Sequence, residues 1–267
     1  MICIIIENLV PEDRGQETAV KPGQTDIIPH SDASRASQGT LTEQAYQTLR
    51  REIVSGRLAP EQPLRLEFLR DTYGFGFSPL REALSRLQSE RLVSQFALRG
   101  FKVAAVSIAE MSDIIETRIV IETEALRRSI QRGGDDWESA IVATFHALRN
   151  AAQRRVADDA KPDAASELEN RHHDFHQALL SACGSPWLIH LSGQLYMLSE
   201  RYRRPLLSGS APNDMPARDV LGEHAAIMEA TLAREASKAV DLLSAHYRRT
   251  GKAIERMLEQ GSTLKTA

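Results

Sequence analysis

Four histidines have the spacing that could do chemistry. NRHHDFHQAL sets His172 and His176 four residues apart, on one face of any helix that contains them, with His173 and Asp174 directed elsewhere. His224 lies in GEHAAI and His246 in SAHYRRTG, each within its own helical pattern. Two imidazoles one turn apart and two more from neighbouring helices are a common way for a helical bundle to hold a divalent metal, zinc or nickel being suited to imidazole. The alternative is four core or surface histidines with ordinary hydrogen bonds. A metal-dependent hydrolase of helical fold is a further reading, since HxxxH is half of HExxH. Against it, His173 stands where that chemistry needs a glutamate general base. Arg118 and Glu122, also one turn apart, are either an anion clamp at a cavity or an exposed i,i+4 pair. Arg201, with Arg203, Arg204 and Tyr202, poses the same choice.

A second set of residues points to nucleic acid. The chain of 267 residues has a formal charge of −3, but residues 40–104 hold ten Lys or Arg against seven Asp or Glu, so this segment is +3 and the remainder −6. A basic module joined to an acidic one suits a DNA reader with a separate sensing domain. The stretch FSPLREALSRLQ puts Ser78 as a helix N-cap and Pro79 in the first turn, where its missing N–H costs nothing. Leu80, Ala83, Leu84 and Leu87 would then be buried, leaving Arg81, Ser85 and Gln88 outward. Two short apolar arms follow, 92–96 and 101–105, around a turn carrying Arg99 and Gly100, with Lys102 on the second arm.

The elements that position these residues follow from periodicity and caps. Residues 1–39 have no apolar period beyond an isoleucine-rich start and read as a tail. A first helix is expected over 41–55 and a short second one closed by Gly74, with Arg65 at its approach. With the helix after Ser78 and the hairpin, these make a winged helix-turn-helix over 40–105, whose candidate DNA contacts are Arg65, Ser78, Pro79, Arg81, Ser85, Arg99, Gly100 and Lys102. The bland alternative is a small helical bundle with a solvated basic face. SIAE at 107–110 is a capping box that opens a long helix to about 131. Further helices are expected over 136–156, 163–182, 186–207, 217–233 and 235–260. The fold class is therefore mainly α: an N-terminal winged helix-turn-helix, then an antiparallel bundle of six or seven helices over 106–260, with 261–267 as a tail. The absence of a long apolar run or a basic-flanked leader makes the cytoplasm, at the nucleoid, the expected location, without a membrane partner. Cys3 and Cys183 form no disulfide framework, and Cys183 reads as a core residue.

SPLREALSRLQSERLV followed by RGFKV resembles the winged-helix signature of the GntR regulators. RIVIETEAL, HHDFHQALLSACGSPWL, GEHAAI and AVDLLSAH resemble the ligand-binding bundle (FCD domain) of their FadR-type branch, over about 41–258. YGFGFSPLREALSRL, QRGGDDWE and LLSACGSPWLI look like the group of glutarate-responsive carbon-starvation regulators. The resemblance implies a homodimeric transcription factor, usually a repressor, that binds a palindromic operator in double-stranded DNA and releases it on binding a small organic acid. It implies no catalysis. Many relatives hold a metal with an Asp and three His; the last three match His176, His224 and His246, while His172 replaces the Asp, so the site would be all-histidine. Arg118, Glu122 and Arg201 would serve the effector. Gly76 and Phe77 stand where relatives often have Ser and Arg, so Ser78, Arg81 and Arg99 carry over but a base contact from position 77 does not.

Overall fold

A computed structural model describes residues 39–96, 100–157, 164–207 and 218–263. The expected elements form, with boundaries adjusted by one to three residues. Helix α1, Leu41–Val54, begins at Thr40, whose hydroxyl accepts from the Glu43 N–H at 3.2 Å. Helix α2, Leu66–Tyr73, closes at Gly74, which adopts φ +76, a left-handed conformation that glycine takes without a Cβ penalty.

Helix α3, Phe77–Ser89, starts two residues earlier than expected: its N-cap is Gly76 and no side chain caps it. Ser78 lies inside the first turn and donates to Glu82 Oε1 at 3.3 Å. Pro79 is still tolerated, because its N–H would also be unpaired at the third helical position. The hairpin is β2, Val93–Phe96, and β3, Gly100–Val103. The sequence pattern gave no warning of a third strand, β1, Pro63–Leu64, which pairs antiparallel with β3 through Pro63–Lys102 and Leu64–Phe101. The sheet order is β1-β3-β2.

Residues 107–263 supply α4 (Ile108–Arg132), α5 (Asp135–Ala157), α6 (Ala164–Leu180), α7 (Pro186–Leu207), α8 (Val220–Leu232) and α9 (Ala236–Thr263). Ser107 caps α4 by accepting from Glu110 N–H at 3.3 Å. Between α4 and α5 the chain passes so close to Trp137 that a Cβ on Gly133 would lie 2.1 Å from the ring. That ring is anchored by its Nε1 donating to the Ala178 carbonyl at 2.8 Å.

Two separate apolar cores result. One gathers Leu49, Ile53, Leu69, Leu80, Leu84 and Val103 under the sheet; the other gathers Ile119, Leu126, Ile141, Phe175, Leu179 and Ile227 in the bundle, with the free Cys183 buried among them. Polar bonds join the two. Arg50 on α1 meets Glu200 on α7 at 2.6 Å, and Arg201 Nη2 donates to the Ala104 carbonyl at 2.7 Å. Among the described residues no helix is long and apolar enough to cross a membrane.

Candidate functional site

The four histidines come together. His172 and His176 project from α6, His224 from α8 and His246 from α9, and one nitrogen from each lies within 4.8 Å of all the others. His176 Nε2 is 3.1 Å from His172 Nε2 and 3.2 Å from His224 Nε2. Nitrogens about 2.1 Å from one ion, at 90–109° to each other, are separated by about 3.0–3.4 Å.

The outer ring atoms decide which nitrogens carry protons. Tyr247 donates its only hydrogen to Glu122 Oε2, so its oxygen accepts from Arg118 Nη2 at 3.2 Å and from His176 Nδ1 at 2.9 Å. Tyr196 likewise donates to Glu169 Oε1 at 2.6 Å, which makes His172 Nδ1, 3.3 Å away, the donor. His246 Nδ1 faces Glu223 Oε2 at 2.8 Å, an ionised carboxylate that can only accept. His224 Nδ1 makes no bond of good geometry, although the Val220 carbonyl one turn back favours a proton there. With hydrogens on their Nδ1 atoms, the Nε2 lone pairs of His172 and His176 face one another across 3.1 Å, and His224 Nε2 lies 3.2 Å from His176 Nε2. Bare lone pairs at that distance repel, and a cation between them relieves the repulsion. The donor set therefore fits a divalent metal.

Electrostatics point the same way. Burial holds His172, His176 and His224 well below the usual histidine range, and the neighbouring imidazoles push them further, so they are neutral near pH 7. Burial lowers His246 too, opposed by Glu223. Burial alone would raise Glu223, but Arg218, His246 and Arg249 hold its carboxyl far below the carboxylate range.

A cavity of about 240 Å³ opens beside His172, His224 and His246. Leu148, Ala152, Leu168, Val220 and Leu221 form its apolar wall, and Arg203, Arg218, Glu169 and Thr250 its polar one. Arg203 is buried and ion-paired with Glu169, yet Arg203 Nε and Glu169 Oε2 have no hydrogen-bond partner.

Arg118, Glu122 and Arg201 do not line this cavity, although Arg118 shares a smaller void with His172 and His246. Arg118 and Glu122 are not an exposed pair: they are 3% and 1% exposed, bonded at 2.7 Å, and act on His176 through Tyr247. Arg118 borders only a void of about 10 Å³, room for a single water. Arg201 does not reach the cavity, because its guanidinium is spent on Ala104 at the junction of the two cores. Arg203 and Arg218 line the cavity beside the histidines. Tyr196, Tyr247 and Glu223 also escaped the sequence reading; the adjacency of Tyr247 to His246 and of Glu223 to His224 was the available signal.

On the other core, Ser78, Arg81 and Ser85 share the exposed face of α3, and Arg65 precedes α2. Neither the Arg65 nor the Arg81 side chain has a charged or hydrogen-bonded partner among the described residues. Arg86, by contrast, lies over the Tyr46 ring at 3.6 Å and pairs with Glu43. Gly100 opens β3 at φ +99, and Lys102 is ion-paired with Glu61. Arg99 lies outside the described residues.

Residues 41–103 match the bacterial regulatory proteins of the gntR family, and residues 113–249 match the FCD domain. The chain belongs to the GntR family of transcriptional regulators. It is 39% identical over 211 residues to the uncharacterized HTH-type transcriptional regulator BphR of Paraburkholderia xenovorans strain LB400, covering 79% of this chain and 84% of that protein. It is 34% identical over 201 residues to the HTH-type transcriptional repressor GlaR of Escherichia coli K12, covering 75% and 90%. Among solved structures, E. coli McbR/YncC shares the fold, with a TM-score of 0.64 at 19% identity over 82% of this chain and 99% of that one. This GntR regulator thus joins a DNA-binding winged helix to an FCD effector-binding domain, and family membership decides against the hydrolase reading.

Proposed function

We propose that this regulator is a homodimeric repressor, acting in the cytoplasm at the nucleoid, that binds a palindromic operator and releases it when a small carboxylate occupies the bundle. The effector favoured is a five-carbon diacid, as the sequence resemblance implies. His172, His176, His224 and His246 would hold a divalent zinc or nickel ion, and the ion would supply positive charge and open coordination positions to a carboxylate. The observation that carries this reading is the facing Nε2 lone pairs of His172 and His176 at 3.1 Å, whose protons Tyr196 and Tyr247 hold on Nδ1, with His224 Nε2 3.2 Å from His176.

Charge balance supports an anionic ligand. Arg118, Arg203 and Arg218 are each matched by Glu122, Glu169 and Glu223, and four neutral imidazoles leave the charge of an ion uncompensated. A carboxylate would neutralise it. The cavity volume, below the roughly 300–1,000 Å³ of drug-sized sites, favours a short acid over an acyl thioester. Helix α7 offers a path to the reader: Tyr196 bonds to His172, while Glu200 grips Arg50 on α1.

Metal analysis of the purified protein tests the reading. About one divalent ion per chain is expected, with a fall in melting temperature on chelation, because an ion bound only by the folded state stabilises it. Less than a tenth of an equivalent, with no thermal shift on adding zinc, would overturn the metal. Footprinting on promoter DNA tests the operator independently.

A further inference from the structure

We infer that Phe77 reads the 5-methyl group of a thymine in the major groove of the operator. The inference goes beyond the effector reading and rests on α3 being the helix that enters DNA. Phe77 is the first residue of α3 and is 41% exposed, although neither core uses it. Its ring is held in place: the Arg70 guanidinium lies over it, 5.1 Å from the centroid, and Arg70 is itself tied to Asp71 at 2.8 Å. Four residues on, and therefore beside it on the helix surface, is the unpaired Arg81.

Gly76 supplies a separate observation. Its φ is −66, open to any residue, and a Cβ there would meet nothing closer than Pro79 Cδ at 3.8 Å. The protein's own packing therefore does not demand glycine in front of Phe77. A bare backbone at the N-terminus of a DNA-reading helix does allow a nucleic acid to come close.

The chemistry selects the base. Guanine presents acceptors in the major groove, cytosine a donor, and adenine one of each, and a phenyl ring answers none of them. Only thymine presents an apolar group there, its methyl. The operator of this protein is therefore expected to carry thymine next to the base or phosphate that Arg81 contacts.

The test uses the full-length protein and an operator selected by it from a random-sequence DNA pool. Each thymine of that operator is replaced singly by deoxyuridine, which deletes the methyl and leaves the pairing intact, and affinity is measured by fluorescence anisotropy. One thymine per half-site is expected at which the loss is about fourfold, equivalent to about 0.8 kcal/mol for one buried methyl group. Replacing both half-sites together is expected to cost about sixteenfold. Phe77→Ala is expected to weaken binding to the thymine operator several-fold and to bind the deoxyuridine operator equally well. Should Phe77→Ala lower the melting temperature, Phe77→Gln replaces it in the same comparison. Indifference of the unaltered protein to every methyl would overturn the inference, and so would a methyl effect that persists undiminished in the variant. Failure to select any sequence from the pool would instead sink operator recognition itself.

Discussion

Replacing Arg118 with methionine separates a clamp for the effector from a buried strut behind the four histidines. Arg118 and Glu122 are 3% and 1% exposed, and the guanidinium also donates to Ser199 at 3.1 Å and to Tyr247 at 3.2 Å. Among the described residues Glu122 accepts from only one other group, Tyr247. Deleting the cation therefore leaves a carboxylate buried with half its partners, and breaking such a pair costs about 3–5 kcal/mol. For a protein of this size that corresponds to roughly 6–20 °C of melting temperature, at about 2–4 °C per kcal/mol. The double variant Arg118→Met, Glu122→Leu removes both charges and is expected to recover most of the loss, since apolar replacements of a buried pair are often neutral. Denaturant unfolding of the chelated protein, which excludes any contribution from metal, measures both. A single variant within about 1 kcal/mol of the parent, combined with loss of effector binding, would refute the reasoning and restore Arg118 as an anion clamp.

Other consequences follow from the same contacts. Arg81→Ala is expected to weaken operator binding by about 1–3 kcal/mol without changing the melting temperature, read by gel shift; unchanged affinity would remove Arg81 from the reader. Binding by the proposed dimer, neutralising about six to ten phosphates, is expected to show a log–log salt slope of roughly −5 to −9, and a flat response would point away from DNA. Tyr247→Phe removes the hydroxyl that orients His176 and is expected to lower zinc affinity about 10–100-fold in a competition titration. Gly133→Ala forces a methyl against Trp137 and is expected to destabilise the bundle by about 1–3 kcal/mol, seen in thermal unfolding.

Local chemistry was legible in the sequence and long-range chemistry was not. Gly74, Ser107 and the leucines of α3 announce helix ends and faces through contacts within a turn or two, and the four histidines could be singled out from residue type and one i,i+4 spacing. Strand β1 could not, because Pro63 and Leu64 pair with residues almost forty positions away. The N-cap of α3 was misplaced since Ser78 is a good capping type, but its hydroxyl turns to Glu82 and the helix enters from Gly76 instead. Arg201 and Arg203 are two residues apart on α7 and point to opposite duties, one to Ala104 and the other to Glu169. Which of them lined the cavity depended on the rotation of α7 against α6, set by packing that no local pattern encodes.

Calorimetric titration of glutarate into the metal-loaded protein, with and without bound operator, tests the central claim most directly. An acid that releases DNA by a factor of about a hundred needs about 2.7 kcal/mol of coupling, and reciprocity then requires operator DNA to weaken glutarate binding by the same factor. The account predicts heat of binding from the free protein and affinity about a hundredfold lower on the DNA complex. Equal affinity in both states, or silence from glutarate in the metal-loaded protein, would contradict it.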